Sequence, residues 1–187
     1  MKIAPIWLDA VKVHNQSMDE RKNLPKMGED DPDDIDRRLL ALLQDDASRT
    51  NQALAEAAGV SPATALRRVR RLAETGVIER QVAVLAPRLF DEGLTAIAEV
   101  SLDRQGAELL DAFEARATAE AGVQQCYRVS PGPDLVLVLQ VLDMARYHAL
   151  VQRLFTQDAN VRNVKTYFSL HRAKFETRVP LAVAPVG

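Results

Sequence analysis

Four consecutive residues, Gly59-Val60-Ser61-Pro62, constrain this chain more than any other feature. Glycine is the residue that most readily takes the left-handed conformation at a helix end, and Ser-Pro supplies an N-cap followed by a first-turn residue whose φ is already helical. A stop signal and a start signal one residue apart leave no room for a long loop, so the chain must turn tightly from one helix into the next. The periodicity on either side agrees. Residues 34–45 (DIDRRLLALLQD) place Ile35, Leu39, Leu42 and Leu43 on one stripe, with acidic residues at the end that the helix dipole favours. Thr50 caps a second helix over NQALAEAA, with Leu54 and Ala58 facing inward, and a third runs from Pro62. Three short helices with a tight turn before the third make a helix-turn-helix. The following GVIERQVAVLAP reads as a turn and extended strand, a small wing.

Charge is concentrated on the third helix. The 187-residue chain has a formal net charge of -2, yet residues 47–80 hold six arginines against three glutamates. At about 100° per residue, Ala65, Leu66, Val69, Leu72 and Ala73 form one side of this helix. Thr64, Arg67 and Arg71 centre the opposite side, flanked by Arg68 and Arg70. A charged helix face is ordinarily just a solvated surface. Nearly pure positive charge on the third helix of a helix-turn-helix instead fits a polyanion, and double-stranded DNA is the expected partner. The expected DNA contacts are Ser61, Pro62, Thr64, Arg67, Arg68 and Arg71, with guanidinium groups pairing with guanine edges or phosphates and the capped turn offering N–H groups to a phosphate. Arg70, nearer the packed side, ranks lower.

Beyond residue 93 the rhythm changes. Strand-like segments at 94–102, 123–130, 134–142 and 164–172 alternate with helical segments at 106–122 and 144–157. The order βαββαβ is the ferredoxin-like arrangement, a sheet with two helices on one face and the other face free for a partner. The expected fold class is therefore α+β, a winged helix-turn-helix followed by a ferredoxin-like domain. Cys126 has no partner cysteine and reads as a small hydrophobe in a strand, and His14, His148 and His171 lack ligand spacing. No metal, cofactor or catalytic residue is expected, since no nucleophile stands beside a base and no paired carboxylates or Gly-rich phosphate loop can be found. No apolar run is long enough to span a bilayer and the amino terminus lacks the form of a secretory signal, so no membrane association and a cytoplasmic location are expected.

The amino-terminal pattern D-x-x-D-x-x-L-L-x-x-L-Q (33–44), Leu54-Ala55, and R-V-x-x-L-A-x-x-G-V-I (68–78) resembles the DNA-binding domain of the Lrp/AsnC, or feast/famine, family of transcriptional regulators. The βαββαβ half is similar to that family's effector and oligomerisation domain, including DMARY (143–147) and TYFSL (166–170). The resemblance covers residues 33–178. It implies a regulator that forms a homodimer through its carboxy-terminal sheets, assembles further in many members, and answers to a small molecule such as an amino acid. The expected organisation is an amino-terminal extension at 1–32, the winged helix-turn-helix at 33–86, a linker at 87–93, the effector and oligomerisation domain at 94–178 and a tail at 179–187.

The expected effector contacts are Ser130, Asp134 and Thr166 at the junction of carboxy-terminal domains, where the Asp134 carboxylate suits the α-ammonium of an amino acid and Ser130 and Thr166 help to orient it. Where the family loop reads G-x-x-D and an aromatic, this chain has Pro131 at the glycine position, keeps Asp134 and carries Leu135. Proline has a fixed φ and no N–H, which disfavours an α-carboxylate at that position, and weak or absent binding of leucine and asparagine is expected. Asp134 has two readings, a ligand contact or a turn residue that stabilises the loop. Two other functions stay open: a siroheme decarboxylase-like enzyme, whose histidine-containing motif is represented here only by Tyr127 and Arg128, and a nucleoid-organising architectural protein that binds through phosphates.

Overall fold

A computed structural model describes residues 31–86 and 93–182. The expected extension up to residue 30, most of the linker and the last five residues lie outside the described residues. The chain divides into two compact units, Met1–Ala83 with Glu176–Gly187, and Val84–Phe175.

The first unit holds α1 (Asp34–Asp45), α2 (Asn51–Ala58) and α3 (Pro62–Glu74). Each begins where its cap stands in the sequence: Asp33, Thr50 and Ser61 all accept a backbone N–H from the third helical position. Gly59 ends α2 with φ 71° and ψ 37°, and Val60 N–H reaches back to the Ala55 carbonyl at 3.0 Å, so the break is closed by its own hydrogen bonds. Val60 then packs beside a core of Leu39, Leu43, Leu54, Ala55, Ala58, Ala65 and Val69. The expected wing strand does not form among the described residues. Ile78 packs on this core and its N–H bonds to the Leu72 carbonyl, but none of the described backbone offers residues 79–86 a ladder, and a strand exists only with a partner.

The second unit holds β1 (Leu94–Leu102), α4 (Ala107–Ala119), β2 (Val123–Arg128), β3 (Leu135–Val141), α5 (Met144–Val151) and β4 (Val161–Phe168). All pairings are antiparallel, in the order β2-β3-β1-β4, so the chain is α+β with the expected βαββαβ path. Alternation decides the layers. Ala96, Ala98, Val100 and Leu102 of β1 and Leu135, Leu137 and Leu139 of β3 share one face, buried against Phe113 and Ala117 of α4 and Leu150 of α5. At Gly93, where β1 begins, an added Cβ would lie 2.4 Å from the Val141 carbonyl oxygen, so only glycine permits this approach of the two backbones. The opposite face exposes Ile97, Tyr127 and Tyr167.

Several boundaries differ from the sequence expectation, among them the end of the last strand, expected at 172 and found at Phe168. The helix expected through 122 ends at Ala119. The helix expected through 157 is α-helical only to Val151 and continues as a π-helical turn, Gln152–Thr156. The last strand starts at Val161 rather than 164, after a register shift at Ser101/Leu102 that brings Val161 opposite Leu102.

Candidate functional site

The basic helix is organised by a carboxylate on another helix. Asp36, in the first turn of α1, is fully buried. Its Oδ1 accepts from Arg68 Nη1 at 3.0 Å, and its Oδ2 accepts from Arg71 Nη2 at 2.5 Å and from the Asp33 N–H at 3.2 Å. Asp33 completes the cluster, accepting the Asp36 N–H at 2.9 Å and Arg68 Nη1 at 2.6 Å. The two aspartates form a reciprocal capping box, and the two arginines bind it to α3.

This corrects the placement of the arginines. The buried residues of α3 are Ala65, Val69 and Leu72, a narrower stripe than expected because Leu66 is half-buried and Ala73 exposed. The outward face is rotated accordingly. Arg67 remains near its centre, Arg70 is exposed beside it, and Arg71 is drawn to Asp36 with Arg68. The ranking of Arg70 below Arg71 for solvent access is reversed. Ser61 and Pro62 are exposed and Thr64 is half-buried at the start of the helix. Its capacity for a phosphate is smaller than expected: Pro62 has no N–H, Thr64 donates to Ser61 Oγ and Ala65 to the Ser61 carbonyl, which leaves the Ala63 N–H. Asn51 Nδ2 bonds the Pro62 carbonyl at 2.8 Å and ties this turn to α2.

The three expected effector residues do not converge within one chain. Asp134 closes the end of the β1–β3 ladder: its N–H bonds the Val100 carbonyl at 2.9 Å, its carbonyl accepts from Val129, and its Oδ2 accepts the Leu102 N–H at 2.7 Å. Thr166 lies on β4, opposite Ala98 on the far side of β1, and its Oγ1 accepts from Tyr147 Oη at 2.9 Å. Ser130 is exposed in the β2–β3 loop, before a cis bond to Pro131. Thr166 instead lines an open cleft of about 310 Å³ with Tyr147, Phe155, Thr156 and Arg162. The sequence reading gave no role to Tyr147 or Arg162: Tyr147 lies in the expected helix with nothing in its spacing to mark the Thr166 contact, and Arg162 joins β4 only through the bulge.

Two smaller readings can be placed. Cys126 is half-buried among helix-facing residues, and burial, reinforced by Glu114, pushes its thiol pKa up, away from a reactive thiolate. Arg128 is held by Glu114 and Asp111 of α4, both at 2.8 Å.

A three-helix unit organised about a basic α3, joined to a ferredoxin-like unit, is the architecture of a class of DNA-binding regulators. Comparison with known proteins narrows this. A winged helix-turn-helix DNA-binding family model matches residues 32–79 and the Lrp/AsnC ligand binding domain matches residues 95–179. The chain is 33% identical over 149 residues to an uncharacterised HTH-type transcriptional regulator of Haemophilus influenzae, covering 80% of this chain and 89% of the relative. It is 32% identical to the leucine-responsive regulatory protein of Salmonella typhimurium, covering 80% and 91%. Among solved structures, an AsnC family regulator from Agrobacterium tumefaciens superposes with a TM-score of 0.72 at 30% identity, covering 79% of this chain and 96% of that one. A feast or famine regulatory protein from M. tuberculosis, complexed with L-methionine, gives 0.69 at 30% identity, covering 80% and 99%. The chain belongs to the Lrp/AsnC family of helix-turn-helix transcriptional regulators.

Two predictions follow from the ion cluster. Asp36→Ala removes the buried acceptor shared by Arg68 and Arg71 and should destabilise the helix-turn-helix unit by about 2–4 kcal/mol, less than breaking a fully buried pair because Arg68 keeps Asp33 and Arg71 reaches solvent; chemical denaturation followed by helical circular dichroism measures it. The backbone N–H of Asp36, and then Arg68, hold the Asp33 carboxyl below its ordinary 3.8. A depressed folded pKa gives stability that is present above 3.8 and is lost as pH falls toward the folded value. Thermal melts from pH 5 to pH 2 should therefore show a steeper acid loss in the wild type than in Asp33→Asn.

Proposed function

We propose that this regulator binds double-stranded DNA in a sequence-specific manner through the outward face of α3, with Arg67 and Arg70 as the leading contacts and Thr64 beside them. The observation that carries this reading is the division of labour among the four arginines: Asp36 engages Arg68 and Arg71, while Arg67 and Arg70 stand exposed without an ion pair among the described residues. Arg68 and Arg71 then act on DNA through the pose of the helix, with Ser61 and Pro62 setting its first turn. A regulator of DNA works where the chromosome is, which places it in the cytoplasm, and no described helix is long and apolar enough to cross a membrane.

Homodimerisation through the open sheet face belongs to the same reading. Ile97, Tyr127 and Tyr167 sit there with the partly buried Val136 and Val138, a surface suited to a second copy, and assembly beyond the dimer extends it. The effector reading rests on relatives: a transcriptional regulator from Neisseria meningitidis, 27% identical, and the M. tuberculosis protein were both solved with L-methionine. An amino acid is thus the effector class for this chain, in the ferredoxin-like unit.

The enzyme alternative gains little. Tyr127 and Arg128 are adjacent on a strand and point to opposite faces of the sheet, and the carboxylates of α4 occupy Arg128. A purely architectural role is separated by the ratio of specific to random-sequence affinity.

With a DNA site obtained by in vitro selection, Arg67→Ala and Arg70→Ala should each weaken binding by about 1–3 kcal/mol where the side chain reads a base, measured by fluorescence anisotropy. Unchanged affinity in the double variant refutes this assignment of the face. Asp134→Ala leaves the Leu102 N–H without its acceptor and should destabilise the ferredoxin-like unit by about 1–3 kcal/mol. Calorimetry across the twenty amino acids should show weak or absent leucine and asparagine binding, and tight leucine binding would overturn the inference from Pro131.

A further inference from the structure

The last described residues, 176–182, belong to the helix-turn-helix unit, although they follow directly from the ferredoxin-like one. Their anchor is Gln44 near the carboxy-terminal end of α1. Its Nε2 donates to the Val179 carbonyl at 3.1 Å and its Oε1 accepts the Val179 N–H at 2.6 Å. One amide side chain thereby satisfies both backbone groups of a single residue, as an adjacent strand would. Next to it, Arg178 donates to the Asp45 carboxylate. The last turn of α1 carries no basic residue of its own. A cation is favoured at the negative end of a helix dipole, and Arg178 supplies one from 133 residues further along the chain.

We propose that residues 176–182 are a releasable strap, carried by the ferredoxin-like unit, that clasps α1 and gives the DNA-binding unit a second attachment. The chain passes between the units twice, once after Ala83 and once after Phe175. A unit joined at one point reorients within the reach of its connector; joined at two, it loses much of that freedom. The clasp is polar rather than apolar, since Val179 remains 62% exposed. Exposed polar contacts are individually weak and their ionic part is screened by salt, so the strap can open without unfolding either unit.

The test uses the full chain and needs neither DNA nor an effector, so its failure is separate from any failure of the functional reading. Amide exchange and 15N relaxation are compared between the wild type and Gln44→Ala/Arg178→Ala. In the wild type the Val179 amide should exchange about fivefold more slowly than the Thr177 amide after correction for sequence, as expected for one exposed hydrogen bond. The double variant should lose this protection, keep its melting temperature and show a shorter rotational correlation time for residues 34–74 relative to residues 94–168. A chain ending at Phe175 should loosen in the same way without any change to α1. Unprotected Val179 in the wild type, or correlation times unchanged in both variants, would overturn the strap.

Discussion

The buried carboxylate of Asp36 decides how the DNA-binding unit is assembled. Removing an ion from water costs several kcal/mol, and the cost is tolerable only where the charge is fully paired and hydrogen-bonded. Here Arg68, Arg71 and the Asp33 N–H meet that condition together. The arrangement ties the start of α1 to the middle of α3 and fixes the roll of α3 about its own axis. Ala65, Val69 and Leu72 then turn inward, and Arg67 and Arg70 turn out. The paired aspartates of D-x-x-D and the arginine of R-V are thus parts of one ion cluster, although 32 residues separate Asp36 from Arg68.

The core of the ferredoxin-like unit is held by shape, and its ion pairs lie at the surface. Small residues on the central strand, Ala96 and Ala98, lie in the same core as the large side chains of Phe113 and Phe155, whose rings stack with centroids 6.4 Å apart. Because β1 pairs on both sides, its residues 96–100 each set the register of two neighbours. That same central position separates Asp134 from Thr166. The aspartate spends one carboxylate oxygen on a β1 amide, which makes it a structural residue whatever else it contacts.

How much could be read in advance depended on where the information sits. The three helices of the first unit were legible because the apolar stripe and acidic start of α1 and the signals Thr50, Gly59, Ser61 and Pro62 act within a few residues of themselves, while the Asp33 cap emerged only in the structure. The strand at 94–102 was equally plain from its alternation. Boundaries marked only by apolar residues drifted. Leu150, Leu154 and Phe155 suit a continuing α-helix as well as a π-helical turn, and Val161-Arg162-Asn163 becomes a strand only by pairing with Leu102 and Ser101 across a bulge. Among the described residues the segment 79–86 has no strand to pair with, so its extended pattern forms none.

The sequence by itself determined the order of elements, the two kinds of unit, the sign of charge on α3 and, through the motif pattern, the family, because capping, periodicity and composition are local properties. Only the tertiary structure decided which arginines face outward and which are consumed within the fold. Four arginines in five positions are chemically equal in the sequence, and what distinguishes them is a carboxylate on another helix whose distance along the chain says nothing of its distance in space.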